Sequence, residues 1–268
     1  MDSKMKKVAR AGYAIKGGIY ALTGVLTFLA AVNLGGQKAG KLQVIKYLDN
    51  QPFGQTILVV VALGLACYAS WRFVQSIGDP EGIGKDKKAI VKRIGYFVSG
   101  CIYLSLAVFS VYQIFGSGSS SGSSGSSGAQ KSQFLATQTG LIVIVIVGVI
   151  VVCTGIYQFV RVYKETYTKK FDLESMREEK RRKTIKNTAN FGLSARGVIF
   201  IIIGFSAIKA GISADPSKIK SAAQAFSFLE KSAYGAWLMG IVALGLVGYG
   251  IYMFMMAKHR KFKDGSSN

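Results

Sequence analysis

Residues 141–160 read LIVIVIVGVIVVCTGIYQFV, twenty residues without a charge. A bilayer core takes about 20 mostly apolar residues wound as a helix. The β-branched run inside this stretch would also suit a buried strand, but strands rarely exceed about ten residues. Length therefore decides for a membrane-spanning helix. Working outward, five more stretches have the same character: roughly 13–34, 56–77, 94–115, 192–212 and 235–257. Counting the quoted stretch as 140–160, six spans are expected. The first follows Lys4, Lys6, Lys7 and Arg10, as a signal peptide would, but its apolar run is too long for a signal h-region, so it reads as a retained span.

Composition agrees with lipid as the solvent. Half of the 268 residues are hydrophobic, 32 glycines come on top of that half, and only 18% of residues are charged. The net charge of +21 arises from 34 Lys and Arg against 13 Asp and Glu. Nucleic acid, anionic lipid or a topology signal would each account for such a charge, and its location decides. Segments 1–12, 72–93, 161–189 and 258–268 hold 24 of the basic residues, whereas 35–55, 116–139 and 213–234 hold 7. The positive-inside rule then places both termini in the cytoplasm, with no role for nucleic acid.

An internal repeat organises the spans. The odd-numbered ones open with RAGYAIKGGIY, RIGYFVSGCIY and NFGLSARGVIF. Gly12, Gly95 and Gly192 align; Gly17, Gly100 and Gly197 follow five residues later, then Tyr20, Tyr103 and Phe200, then Gly24, Ala107 and Gly204. The even-numbered spans are announced by YLDNQPFG, FLATQTG and FLEKSAYG and carry Ala69, Gly155 and Gly250, followed by Trp71, Tyr157 and Tyr252. One unit is a helix, an outer loop with a short amphipathic segment, and a returning helix. Leu48, Leu135 and Leu229 of those segments are expected to point into the bundle or the membrane. Each unit crosses twice, so the three copies share one orientation and are related by an axis along the membrane normal. An all-α polytopic bundle of three tandem parallel hairpins with approximate three-fold symmetry is the simplest arrangement, with a linear row as the alternative. Gly12, Gly17, Gly95, Gly100, Gly192 and Gly197 are assigned to close helix packing.

On these residues the chain resembles the bacterial membrane proteins grouped as domain of unknown function 1206. The resemblance covers about Val8 to Phe262, apart from Asn190 in place of Arg10 and Arg93, and Leu193 in place of tyrosine. It implies the three-hairpin architecture in a bacterial cytoplasmic membrane. It brings no established activity and no catalytic residues.

The expected divisions are hairpins at 8–80, 88–165 and 188–262, with a basic connector at 166–187. Glu178 with Arg182 and Glu179 with Lys183 are i,i+4 pairs, which predicts a solvated connector helix over 172–186. GSGSSSGSSGSSG at 116–128 has the composition of a flexible coil.

Chemistry is sparse. The single histidine, His259, lies in the basic tail, every Asp and Glu falls outside the spans, and no metalloprotease, P-loop or dinucleotide motif occurs. Cys67, Cys101 and Cys153 lack metal or disulfide spacing and read as small buried hydrophobes. No enzyme, metal or cofactor is expected. What remains is Lys16, Ser99 and Arg196, which share one repeat position four residues after the first glycine. Snorkelling to the cytoplasmic face is the simpler account of the two cations. If the odd helices instead meet at the axis, the three residues converge on an anion such as a lipid phosphate. Lys209, near the outer end of its span, is expected to snorkel outward. The expected function is a non-enzymatic membrane scaffold or accessory subunit, partnered by anionic headgroups and other membrane subunits. The alternative is a transporter or channel for a small anionic solute.

Overall fold

The computed structural model describes residues 3–80, 82–84, 86–116, 137–168, 171, 179–215, 218–232 and 234–260. The Ser/Gly stretch beyond residue 116, Leu135 and most of the connector lie outside them. Six helices are long and apolar enough to span a membrane. They are α1 (Ser3–Ala31), α3 (Gly54–Ile77), α4 (Lys87–Gly116), α5 (Gln138–Tyr163), α6 (Glu179–Ile212) and α8 (Gly235–His259). Two short helices, α2 (Lys41–Asp49) and α7 (Ala222–Glu230), precede α3 and α8.

The short helices are placed elements. Each starts on a capping arrangement in which a glutamine two or three residues into the helix accepts a backbone N–H: Gly40 N donates to Gln43 Oε1 at 3.0 Å and Ser221 N to Gln224 Oε1 at 2.7 Å. Each is also tied to the preceding span, through Ala39 N to Thr27 Oγ1 and Lys220 N to Ser206 Oγ. Leu48 is buried and Leu229 half-buried. The glycines that announce α3 and α8 have a simple cause, since a Cβ at Gly54 or Gly235 would run into the backbone of Asp49 or Glu230. Lys38 pairs with Glu230, which links the two short-helix loops.

The tightest helix pairs join successive repeats. The even helix of each unit packs on the odd helix of the next: α3 on α4, α5 on α6, and α8 back on α1. With the α1–α3 and α6–α8 contacts, these three equivalent interfaces join the six spans into a ring left open between α4 and α5. In each, an aligned glycine lies under a phenylalanine at one repeat position: Gly17 under Phe254, Gly100 under Phe73 and Gly197 under Phe159. A Cβ added there would come within 3.3, 2.8 and 2.7 Å of the ring. Gly24 faces Ala243 and Gly204 faces Gly148 one helical repeat further out. Without a hydrophobic driving force in lipid, such close backbone approach is what holds helices together.

Within hairpins the first glycine of each unit behaves differently. Gly12 abuts the Tyr68 backbone and Gly192 that of Tyr249, so α1 packs on α3 and α6 on α8. The second hairpin departs from this. Its helices α4 and α5 are not packed against each other, Gly95 is exposed, and a Cβ there would meet nothing within 4 Å. The packing role expected of Gly95 is therefore corrected. Its counterpart on α5 is Thr154, which offers no tyrosine to close on.

Two further expectations are corrected. The described part of the connector is not a separate solvated helix. Residues from Glu179 onward continue straight into α6, while Tyr167 and Phe171 are buried against Tyr252 at ring separations of 6.1 and 5.8 Å. Glu178 and the side chain of Glu179 lie outside the described residues. Cys101 and Cys153 are exposed on the outer faces of α4 and α5, and Cys67 is half-buried. A small, weakly polar thiol suits a lipid-facing surface as well as a core.

Candidate central cation site

The inner faces of the ring follow from helical spacing. Lys16 and Tyr20 lie four residues apart on α1, as do Ser99 and Tyr103 on α4, Arg196 and Phe200 on α6, and Tyr68 and Arg72 on α3. Residues at that spacing share one face. Because the interfaces between repeats fix each helix's rotation, these faces turn inward and meet.

Lys16 is at the centre and only 2% exposed. Its Nζ donates to the Tyr68 hydroxyl at 2.7 Å and lies 4.5, 5.0, 5.8 and 6.0 Å from the rings of Tyr68, Tyr103, Tyr249 and Tyr20. The Tyr68 oxygen also accepts from Arg72, whose Nε is at 2.8 Å. Arg196 donates from Nη1 to the Tyr249 hydroxyl at 2.7 Å and stands over Phe200, Tyr249 and Tyr20 at 4.6, 5.1 and 5.6 Å. From the other end of the bundle, Lys41 on α2 reaches in to 4.6 Å from the Tyr103 ring and 5.4 Å from Tyr20. Arg161 on α5 donates to Gln158 at 3.2 Å and is within electrostatic reach of Lys16.

The result is five cations from four of the spanning helices and α2, gathered among tyrosines. Among the described residues no ion pair to a carboxylate offsets them: those present, such as Lys186 with Glu165 and Lys218 with Asp215, lie in the loops or at helix ends. The desolvation penalty for one buried ion is still several kcal/mol after relaxation. A cation–π contact returns roughly 0.5–2 kcal/mol. The aromatic rings therefore offset part of the cost, while the mutual repulsion of the cations adds to it. The Nε of Arg196 is buried and has no acceptor among the described residues. Among the described residues the cluster has no negative charge to balance it.

Of the three residues singled out from the sequence, Lys16 and Arg196 meet, and Ser99 stands half-buried one turn below Tyr103 without joining them. The snorkelling account of Lys16 and Arg196 is overturned, because both turn inward to tyrosines. Lys209 is exposed, as expected for a side chain pointing out of the bundle. Arg72, Lys41 and the tyrosines were absent from the sequence-based candidates. The recurrence of Tyr20 with Tyr103, and of Tyr68 with Tyr249, was the available signal.

Comparison with known proteins places this geometry in a family. The model of the Domain of Unknown Function (DUF1206) matches residues 11–79, 94–165 and 191–260, one match per hairpin. The chain is similar to an "Uncharacterized protein YxxB" of Bacillus subtilis (strain 168), 32% identical over 253 residues that cover 94% of this chain and 90% of the relative. No solved structure matches it significantly.

Proposed function

The chain belongs to the Domain of Unknown Function (DUF1206) family, and on that premise we propose that it is a non-enzymatic membrane protein that holds an anionic group at the centre of its bundle. The observation that carries this reading is the convergence of Lys16 and Arg196, with Arg72 and Lys41, around shared tyrosines, with no ion pair to a carboxylate at these residues among the described ones. A phosphate is the natural complement. It would accept from Lys16, Arg196 and the tyrosine hydroxyls at once, as charge-assisted hydrogen bonds, which are the stronger kind. In this reading the protein is an accessory or scaffold subunit. Its glycine-lined interfaces make a rigid frame, and its lipid-facing surface of Ile, Val and Phe is open to other membrane proteins. It lies in the bacterial cytoplasmic membrane with both termini in the cytoplasm, as the basic residues of 1–12, 161–189 and 258–268 support.

A second reading, transport of a small anion, is favoured by one observation. Lys41 approaches the centre from the α2 end, while Arg72 and Arg161 lie toward the opposite ends of α3 and α5. A ladder of cations through the depth of the bundle is what an anion path requires.

Thermal unfolding of the purified protein tests the first reading. Titrated phosphate, or vesicles containing phosphatidylglycerol, should raise the melting temperature. A ligand at 100 times its dissociation constant contributes about 2.7 kcal/mol. Neutral phosphatidylcholine should not. An equal response in the Lys16→Gln/Arg196→Gln variant would sink it. Uptake of labelled phosphate into proteoliposomes decides the second reading.

A further inference from the structure

Among the described residues the ring has one opening. Two hairpins are closed by a glycine against a tyrosine backbone, Gly12 on Tyr68 and Gly192 on Tyr249, but α4 and α5 stand apart, with Gly95 exposed and Thr154 as its equivalent partner. The lips of this seam are apolar and exposed. Val98 and Ile102 flank Gly95 on α4, and Ile150 and Tyr157 flank Thr154 on α5. Each inner wall carries a polar-tipped side chain. Tyr103 of α4 is buried against Lys16, and Gln158 of α5 is buried and bonded to Arg161. The seam thus stands between the lipid-facing surface and the side of the bundle where Tyr103 meets Lys16 and Arg161 meets Gln158.

We propose that the seam between α4 and α5 is a lateral doorway for a single anionic membrane lipid, whose phosphate sits at Lys16 and Arg196 and whose acyl chains lie along Val98, Ile102, Ile150 and Tyr157. This rests on the anion-binding reading and narrows it to an amphiphile. The charge complement argues for the head: clustered cations with no carboxylate partner among the described residues recruit an anion. The seam argues for the tail. An anion arriving through water has no need of an apolar entrance, whereas a molecule with chains must enter from the side and leave them in contact with lipid. The pseudo-symmetry also supplies the closed state, in which Gly95 would rest on Thr154 as Gly12 rests on Tyr68.

The full-length protein, with Cys67, Cys101 and Cys153 replaced by alanine, carries Gly95→Cys and Thr154→Cys as a reversible lock. It is stripped of lipid, oxidised to close the seam, and then offered either phosphatidylglycerol or water-soluble glycerol 3-phosphate, with bound ligand counted by native mass spectrometry. The locked form should lose the phosphatidylglycerol uptake that the reduced form shows. Reduction of the same sample should restore uptake, which excludes misfolding as the cause. Lys16→Gln with Arg196→Gln should abolish uptake in the open form. Equal uptake by locked and open protein, or uptake that survives the double substitution, overturns the doorway. Binding of glycerol 3-phosphate without phosphatidylglycerol overturns the doorway and leaves the anion site standing. Binding of neither probe overturns both.

Discussion

Lys16 and Arg196, which stand at one position of the first and third repeats, share two aromatic rings. The Lys16 amine and the Arg196 guanidinium lie 6.0 and 5.6 Å from the centre of Tyr20, and 5.8 and 5.1 Å from that of Tyr249. Two like charges are held together by a shared pair of π-faces, with a hydrogen bond from each cation to a tyrosine hydroxyl, Tyr68 for Lys16 and Tyr249 for Arg196. Such an arrangement is costly without a counter-charge and stable with one.

The three leading glycines should respond differently to alanine. At Gly12 a Cβ would lie 2.6 Å from the Tyr68 backbone, and at Gly192 2.4 Å from Tyr249 N. Both substitutions should cost about 1–3 kcal/mol, the usual range for overpacking. Gly95→Ala meets nothing and should gain up to ~1 kcal/mol from helix propensity. Melting temperatures in one detergent check this. Equal destabilisation by all three would mean that the second hairpin closes like the others.

Tyr167 should make the connector sensitive to base. Burial, and then the neighbouring Glu165 carboxylate, push its hydroxyl up to about 12. The folded state thus keeps the proton that the unfolded chain gives up near pH 10. The stabilising contribution is full below pH 10 and lost as pH rises through 12. Ultraviolet titration of wild type against Tyr167→Phe should show one late-ionising tyrosine missing from the variant. Identical titrations would refute the burial of this ring.

Orientation is open to direct labelling. In a cysteine-free background, Gln37→Cys lies in the exposed turn after α1 and Lys164→Cys just beyond α5. An impermeant maleimide should label position 37 in intact cells and position 164 only after lysis. The reverse pattern would invert the bundle.

The spans and the repeat were legible from the sequence because both are patterns of spacing. An uncharged run such as 141–160 has one structural solution in lipid, and Gly17, Gly100 and Gly197 recur with a common partner, a phenylalanine. The site was legible only in part. The shared position of Lys16 and Arg196 was visible, but whether a side chain turns out to water or in to the axis depends on helix rotation, which the α8–α1 and α5–α6 interfaces set. Arg72 sits near the end of α3, where position alone marks it as one more topology charge; its contact with the Tyr68 hydroxyl is a property of the folded bundle. Gly95 aligns perfectly and yet packs on nothing, because alignment shows a residue's position and not its partner. The tyrosine expected from the other two repeats is Thr154 in this one.

The central claim is that the buried cations hold a phosphate-bearing group. Its most direct test is the phosphorus content per chain, with lipid identity by mass spectrometry, of protein purified in gentle detergent. Wild type is compared with Lys16→Gln/Arg196→Gln, both shown to be helical and monodisperse. The account predicts a tightly held phosphate-bearing anion in wild type that withstands washing and is absent from the double variant. The same phosphorus content in two well-folded proteins would contradict it.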